Sequence, residues 1–160
     1  MSLIVIKQIG SGSSWRVIGE ISDNSVVKQL TPYSCVAAVG EMLLRDRGII
    51  VSQEAIIDII GQPSDIVRLA AFLNKVDANE DGKSWNGLIV QRKALSVLIG
   101  SGQFGAVIRD GSPLGHLVLV KEADDNKLVI YDPWDATSYK VSLFEFFRHW
   151  NGEVIFRWNF

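Results

Sequence analysis

The chain offers one thiol with which to do chemistry. Cys35 is the only cysteine among 160 residues, and His116 and His149 are the only histidines. A cysteine becomes a nucleophile when a base takes its proton and a third group orients that base. Cys35 follows Pro32-Tyr33-Ser34 and leads into Val36, Val39, Leu43 and Leu44, an apolar set at helical spacing with Ala37 and Ala38 between. Pro32 breaks structure and Ser34 suits an N-cap, so the spacing predicts a thiol in the first turn of a helix. Partial positive charge there favours thiolate over thiol. The competing reading is a small buried filler, because free cysteine is among the most buried residue types.

His116 is the first candidate base. It follows Gly115 and opens a strand, so its side chain could face a cleft beside the cysteine helix. A core histidine bonded to backbone is the alternative. His149, in Phe146-Phe147-Arg148-His149-Trp150, sits on a C-terminal helix and ranks second. The orienting group should accept from the imidazole N–H and fix its tautomer. Asp132 ends the next strand, one hairpin away, where antiparallel pairing could set it beside the start of the first. Asp-Pro is also a common turn opening, and Asp135 is a weaker candidate for the same role. Acyl chemistry further needs donors for a developing oxyanion. The Cys35 N–H at a helix start is one. The side-chain amide of Gln29, six residues upstream, is another, although alone it would read as a surface glutamine.

Each residue is weak alone. Together, Gln-x5-Cys at a helix start, Gly-His at a strand start and Asp-Pro at a strand end form a far more specific set. On these residues the chain resembles the papain-like cysteine peptidases, most nearly the C39-type, bacteriocin-leader-processing peptidase domain. The similarity runs from about Gln29 to Gly152 and includes Gly115-His116-Leu117-Val118-Leu119-Val120, Tyr131-Asp132-Pro133 and the Phe-rich segment ending at Trp150-Asn151-Gly152. Val36 stands where C39-type domains usually carry glycine. The resemblance implies Cys35 as nucleophile, His116 as general base and acid, Asp132 as orienter and Gln29 as oxyanion donor. It implies a peptide or protein substrate, a larger chain or transporter system around the domain, and no metal or organic cofactor. Deamidases and transglutaminases, including toxins, use the same thioacyl intermediate on this fold, and an inactive peptide-binding module is a third reading.

Patterning along the chain predicts the elements that must hold these groups. Residues 3–9 and 15–21 read as a hairpin around Gly10-Ser11-Gly12-Ser13-Ser14. Helices are expected from Cys35 to about Arg47, after Ser52 with Ala55, Ile56, Ile59 and Ile60 on one face, after Ser64, and over 88–99, with 77–87 a polar loop. Strands are expected at 106–109, 116–121, 128–131 and 154–158, with a short helix capped by Ser142. Mainly helical then mainly antiparallel is an α+β, papain-like arrangement. It is expected as a single domain over 1–160, with a hairpin extension in 1–28, the nucleophile in 29–100, and the histidine and aspartate in 101–160.

Bulk properties narrow the function classes. Net charge is −2, which gives no basic field for nucleic acid or anionic membrane. Apolar residues make 48% and charged residues 21%, a globular balance. One cysteine excludes an intrachain disulfide, and two histidines argue against a Cys/His zinc site. The N-terminus lacks a signal-peptide pattern and no apolar run approaches a membrane span, so a cytoplasmic location is expected, with export by a signal-less route left open. Gly100-Ser101-Gly102-Gln103-Phe104-Gly105 fits G-x-G-x-x-G in letters, but a helix precedes it and a strand follows, the reverse of a dinucleotide fingerprint. Asp77-Ala78-Asn79-Glu80-Asp81-Gly82 fits half a calcium loop, yet Leu88 holds the position of the bidentate glutamate.

Overall fold

The structure is a computed structural model that describes residues 3–10, 12–77 and 81–159. Its strands are β1 (Ile4–Ile9), β2 (Ser13–Ser22), β3 (Ser84–Ile89), β4 (Phe104–Ile108), β5 (His116–Asp124), β6 (Lys127–Asp132), β7 (Thr137–Ser142) and β8 (Trp150–Trp158). Its helices are α1 (Cys35–Asp46), α2 (Gln53–Ile60), α3 (Ile66–Val76), α4 (Leu95–Gly100) and α5 (Leu143–His149). The strands form one antiparallel sheet in the order β1-β2-β7-β6-β5-β4-β8-β3. This is the α+β class expected from the sequence. No helix among the described residues is long and apolar enough to cross a membrane.

Period-two alternation lets one strand serve both faces of the sheet. In β5, Leu117 and Leu119 pack into a core with Val39, Leu43 and Leu73 of the helices, while Val118 and Val120 join a second core with Trp15, Ile130, Tyr139 and Phe146. The helix that opens with Cys35 is therefore seated directly on the strand that begins with His116. Gly40 lets α1 approach α3 closely, since a Cβ there would lie 2.7 Å from Leu69 Cδ1.

Several elements depart from the pattern-based expectations. Ser64 does not cap α3. Asp65 does, accepting from the Arg68 N–H at 2.8 Å. Residues 84–89 form a strand, where a loop and the start of a helix were expected. Their pairing partner, β8, lies some seventy positions on and leaves no trace in local periodicity. Asn74 fixes β3 by bonding both the N–H and the carbonyl of Trp85. The helix expected over 88–99 is confined to Leu95–Gly100 after a 3-10 turn. Strand β7, whose Thr137, Tyr139 and Val141 are buried, was not anticipated. Of the Asp77–Gly82 segment, 78–80 lie outside the described residues. Asp77 is buried and takes Arg47, Arg157 and the Trp85 indole, and Asp81 takes Arg157.

Candidate active site

Cys35 opens α1, where the first N–H groups have no intrahelical acceptor. The turn before it is built by side chains. Ser34, expected to cap the helix, instead closes the turn: its Oγ accepts from the Thr31 N–H at 3.1 Å, and it makes no side-chain cap. Buried Gln53 of α2 clamps the approach, accepting from the Leu30 N–H and donating to the Lys28 carbonyl. The Gln29 N–H donates to the Pro133 carbonyl at 2.8 Å, which ties the segment before the thiol to the turn after Asp132.

The imidazole arrives from the sheet. Gly115 has φ of +71°, and a Cβ there would meet Val107 Cγ1 at 2.6 Å and the Ile108 carbonyl at 3.0 Å, so glycine is required directly before His116. Pairing of Leu119 with Tyr131 sets Asp132, one residue on, diagonally across from His116. His116 Nε2 and Asp132 Oδ1 are 2.7 Å apart, and both residues are buried. The remaining ring nitrogen, Nδ1, is free of Asp132, and Cys35 lies close enough to the imidazole to favour its protonated form. Burial lowers the affinity of His116 for its proton. The Asp132 charge and hydrogen bond, with the Cys35 contact, more than reverse this and push it up to about 10.

Asp132 is fully buried and fully engaged. Oδ1 also accepts from the Trp134 N–H at 3.0 Å, and Oδ2 accepts from the Tyr139 hydroxyl at 2.8 Å. Burial pushes the carboxyl up, but the His116 charge and hydrogen bond, the Lys7 ammonium and the Trp134 N–H hold it below the usual carboxylate range. Burial and the adjacent Asp132 raise the Tyr139 hydroxyl well above its ordinary value, so it remains a donor. The Trp134 ring meets the His116 ring edge to face, with centroids 6.3 Å apart.

Cys35 is partly exposed on the wall of a groove of about 810 Å³. Tyr33, Leu88, Ile89, Leu114 and Trp134 line it, and most of that surface is apolar. Among the described residues, no group of three or more His, Cys, Asp or Glu is placed to hold a metal ion.

Of the residues singled out from sequence, Cys35, His116 and Asp132 come together. Gln29 is buried close by in the chain, with Nε2 donating to the Thr31 carbonyl at 2.8 Å and Oε1 without a hydrogen-bond partner. His149 does not join them. Its ring nitrogens face the Glu145 and Ser14 carbonyls, and it packs on Trp15. Asp135 pairs with Lys7 and does not orient the imidazole. Sequence reasoning missed Lys7 and Tyr139. Lys7 carried a signal, as the one charge on the inward face that Val5 and Ile9 share in β1. Tyr139 carried none once β7 had been overlooked.

The chain matches the model of the Peptidase C39 family over residues 23–159. It is 40% identical over 156 residues to cysteine protease effector 1 of Escherichia coli O1:K1:H7, covering 96% of this chain but only 31% of that protein's length. Among solved structures, the peptidase domain of Streptococcus ComA, a bifunctional ABC transporter, superposes with a TM-score of 0.68 at 19% identity, over 82% of this chain and 95% of that one. A double-glycine-motif protease from an AMS/PCAT transporter, solved with its leader peptide, gives 0.67 at 17% identity over 98% and 97% of the two chains. At those identities the structural likeness establishes the fold alone. The sequence match, over most of the chain, establishes that it belongs to the C39 family of cysteine peptidases.

Proposed function

We propose that this chain hydrolyses peptide bonds through a thioacyl intermediate on Cys35. The observation that carries the reading is the buried Asp132–His116 pair beside the single thiol, which lines a groove. In this mechanism the Cys35 thiolate attacks the scissile carbonyl carbon, and the negative charge moves onto its oxygen. The Cys35 N–H and the Gln29 amide stabilise that oxyanion. The His116 imidazolium gives its proton to the leaving amine, and the thioacyl enzyme remains. His116 then takes a proton from water, which attacks the thioester and releases the acid. Asp132 stays ionised throughout and holds the ring so that Nδ1 faces sulfur.

The substrate is an extended peptide or a protein segment with an apolar stretch. An apolar groove of this volume supports that, as does the leader peptide bound by the transporter neighbour. The test is mass spectrometry of peptide libraries and candidate proteins treated with wild type or Cys35→Ala. New termini made only by wild type are expected. Ammonia release without new termini would place the chemistry at side chains and overturn the hydrolytic reading.

A further inference from the structure

Behind the Asp132 carboxylate stands a cation supplied by a distant part of the chain. Lys7 lies in β1, before the stretch that the family model matches. Its side chain is 4% exposed, and Nζ sits 3.9 Å from Asp132 Oδ2. Nζ also pairs with Glu20 of β2, lies 3.3 Å from Asp135 and 3.5 Å from Thr137 Oγ1, and packs 5.6 Å from the centre of the Tyr139 ring. One ammonium thus faces three carboxylates and touches the phenol that donates to Asp132. Burial works against its charge, but Glu20, Asp132 and Asp135 outweigh that, so Lys7 remains protonated.

We propose that Lys7 is a positioning residue for the peptidase site: from the N-terminal hairpin it keeps Asp132 ionised and turned so that Oδ1 faces His116. The proposal rests on the reading that Cys35, His116 and Asp132 form the reacting set. Asp132 is fully buried, and the ammonium beside it also holds Glu20 and Asp135, charges of the same sign gathered round one cation. A buried anion among like charges takes up a proton unless a cation or enough donors offset the repulsion. The donors from Trp134 and Tyr139 fix geometry, the His116 imidazolium at 2.7 Å is the first compensating charge, and Lys7 at 3.9 Å is the second. With Lys7 removed, Asp132 keeps only the His116 imidazolium as a cation, holds its proton more readily, and its charge-assisted bond to the imidazole weakens. The hairpin is then part of the catalytic apparatus and more than a decoration on the sheet edge.

The test uses two variants of the full chain. Lys7→Met removes the charge at similar volume. Lys7→Met/Glu20→Gln removes the cation and its nearest anion together, so that no unpaired glutamate threatens the fold. Two readouts need no known substrate: the low-field proton resonance of the His116 Nε2–H, assigned by its loss in His116→Ala, and the iodoacetamide alkylation rate of Cys35 at about pH 6.5, within the ordinary imidazole range. The expected result in a folded variant is a shifted or broadened Nε2–H signal and alkylation slowed about tenfold, short of the roughly 100-fold that a 1 Å misplacement of a reacting group can cost. An unchanged resonance and an unchanged rate in the folded double variant would overturn the proposal. If His116→Ala leaves the wild-type rate unchanged, the peptidase reading fails. The resonance then still decides whether Lys7 governs the Asp132–His116 bond.

Discussion

Replacing Asp132 by Asn separates charge from shape at the centre of the site. The amide is close to isosteric, and its oxygen can still accept from His116 Nε2–H at the position of Oδ1, now 2.7 Å away. What disappears is the negative charge. A unit-charge interaction at about 4 Å is worth ~4 kcal/mol at an effective dielectric of 20, about three pKa units. His116 is held at about 10 against an ordinary 6.5, with burial opposing the rise and Asp132 foremost in producing it. The variant should therefore bring His116 down by roughly two to three units. Stability should follow the same sign. A value raised on folding means that the pair stabilises fully below pH 6.5 and loses that contribution as pH rises through about 10. Asp132→Asn should thus destabilise the fold near pH 6 by about 3–5 kcal/mol, the usual consequence of leaving a buried ion unpaired, and by less in alkaline solution. The assay is an NMR titration of the His116 imidazole, assigned by its loss in His116→Ala, alongside urea denaturation at both pH values. A wild-type His116 that titrates near 6.5, or one that Asp132→Asn leaves in place, would refute the argument.

Three further outcomes are expected. Gln29→Ala should lower kcat on a cleaved peptide by about 100-fold with little change in KM, as loss of an oxyanion donor does. A rise in KM at constant kcat would assign Gln29 to substrate binding instead. Gly115→Ala should cost about 1–3 kcal/mol in urea denaturation, because φ is +71° and the added methyl meets the Ile108 carbonyl and Val107. An unchanged midpoint would contradict it. Trp134→Ala removes the ring that lies edge-on to His116, admits water to the His116–Asp132 bond and should hasten exchange of the Nε2 proton. Unaltered exchange would end the shielding role.

Most of the site was legible because its parts are local signals. A proline-serine turn before a helical run, a glycine before a histidine and an aspartate before a proline each leave a mark within a few residues. The parts that were missed depend on pairing across the sheet. β3 exists because β8 pairs with it, and β7 because it bridges β6 and the hairpin. Without β7 there was no route from sequence to the Tyr139–Asp132 bond, and none from Lys7 to a carboxylate 125 positions away. Ser34 and Ser64 failed as caps for a related reason. A cap is chosen by the turn that precedes it, and here Thr31 claims Ser34 while Asp65 takes the place expected for Ser64.

Activation of Cys35 by His116 is read most directly from the alkylation rate of that single thiol across pH in wild type and in His116→Ala. Wild type should label rapidly at about pH 6.5, and the rate should fall at least about tenfold in the variant. Equal rates in the two proteins, or labelling only after denaturation, would contradict it.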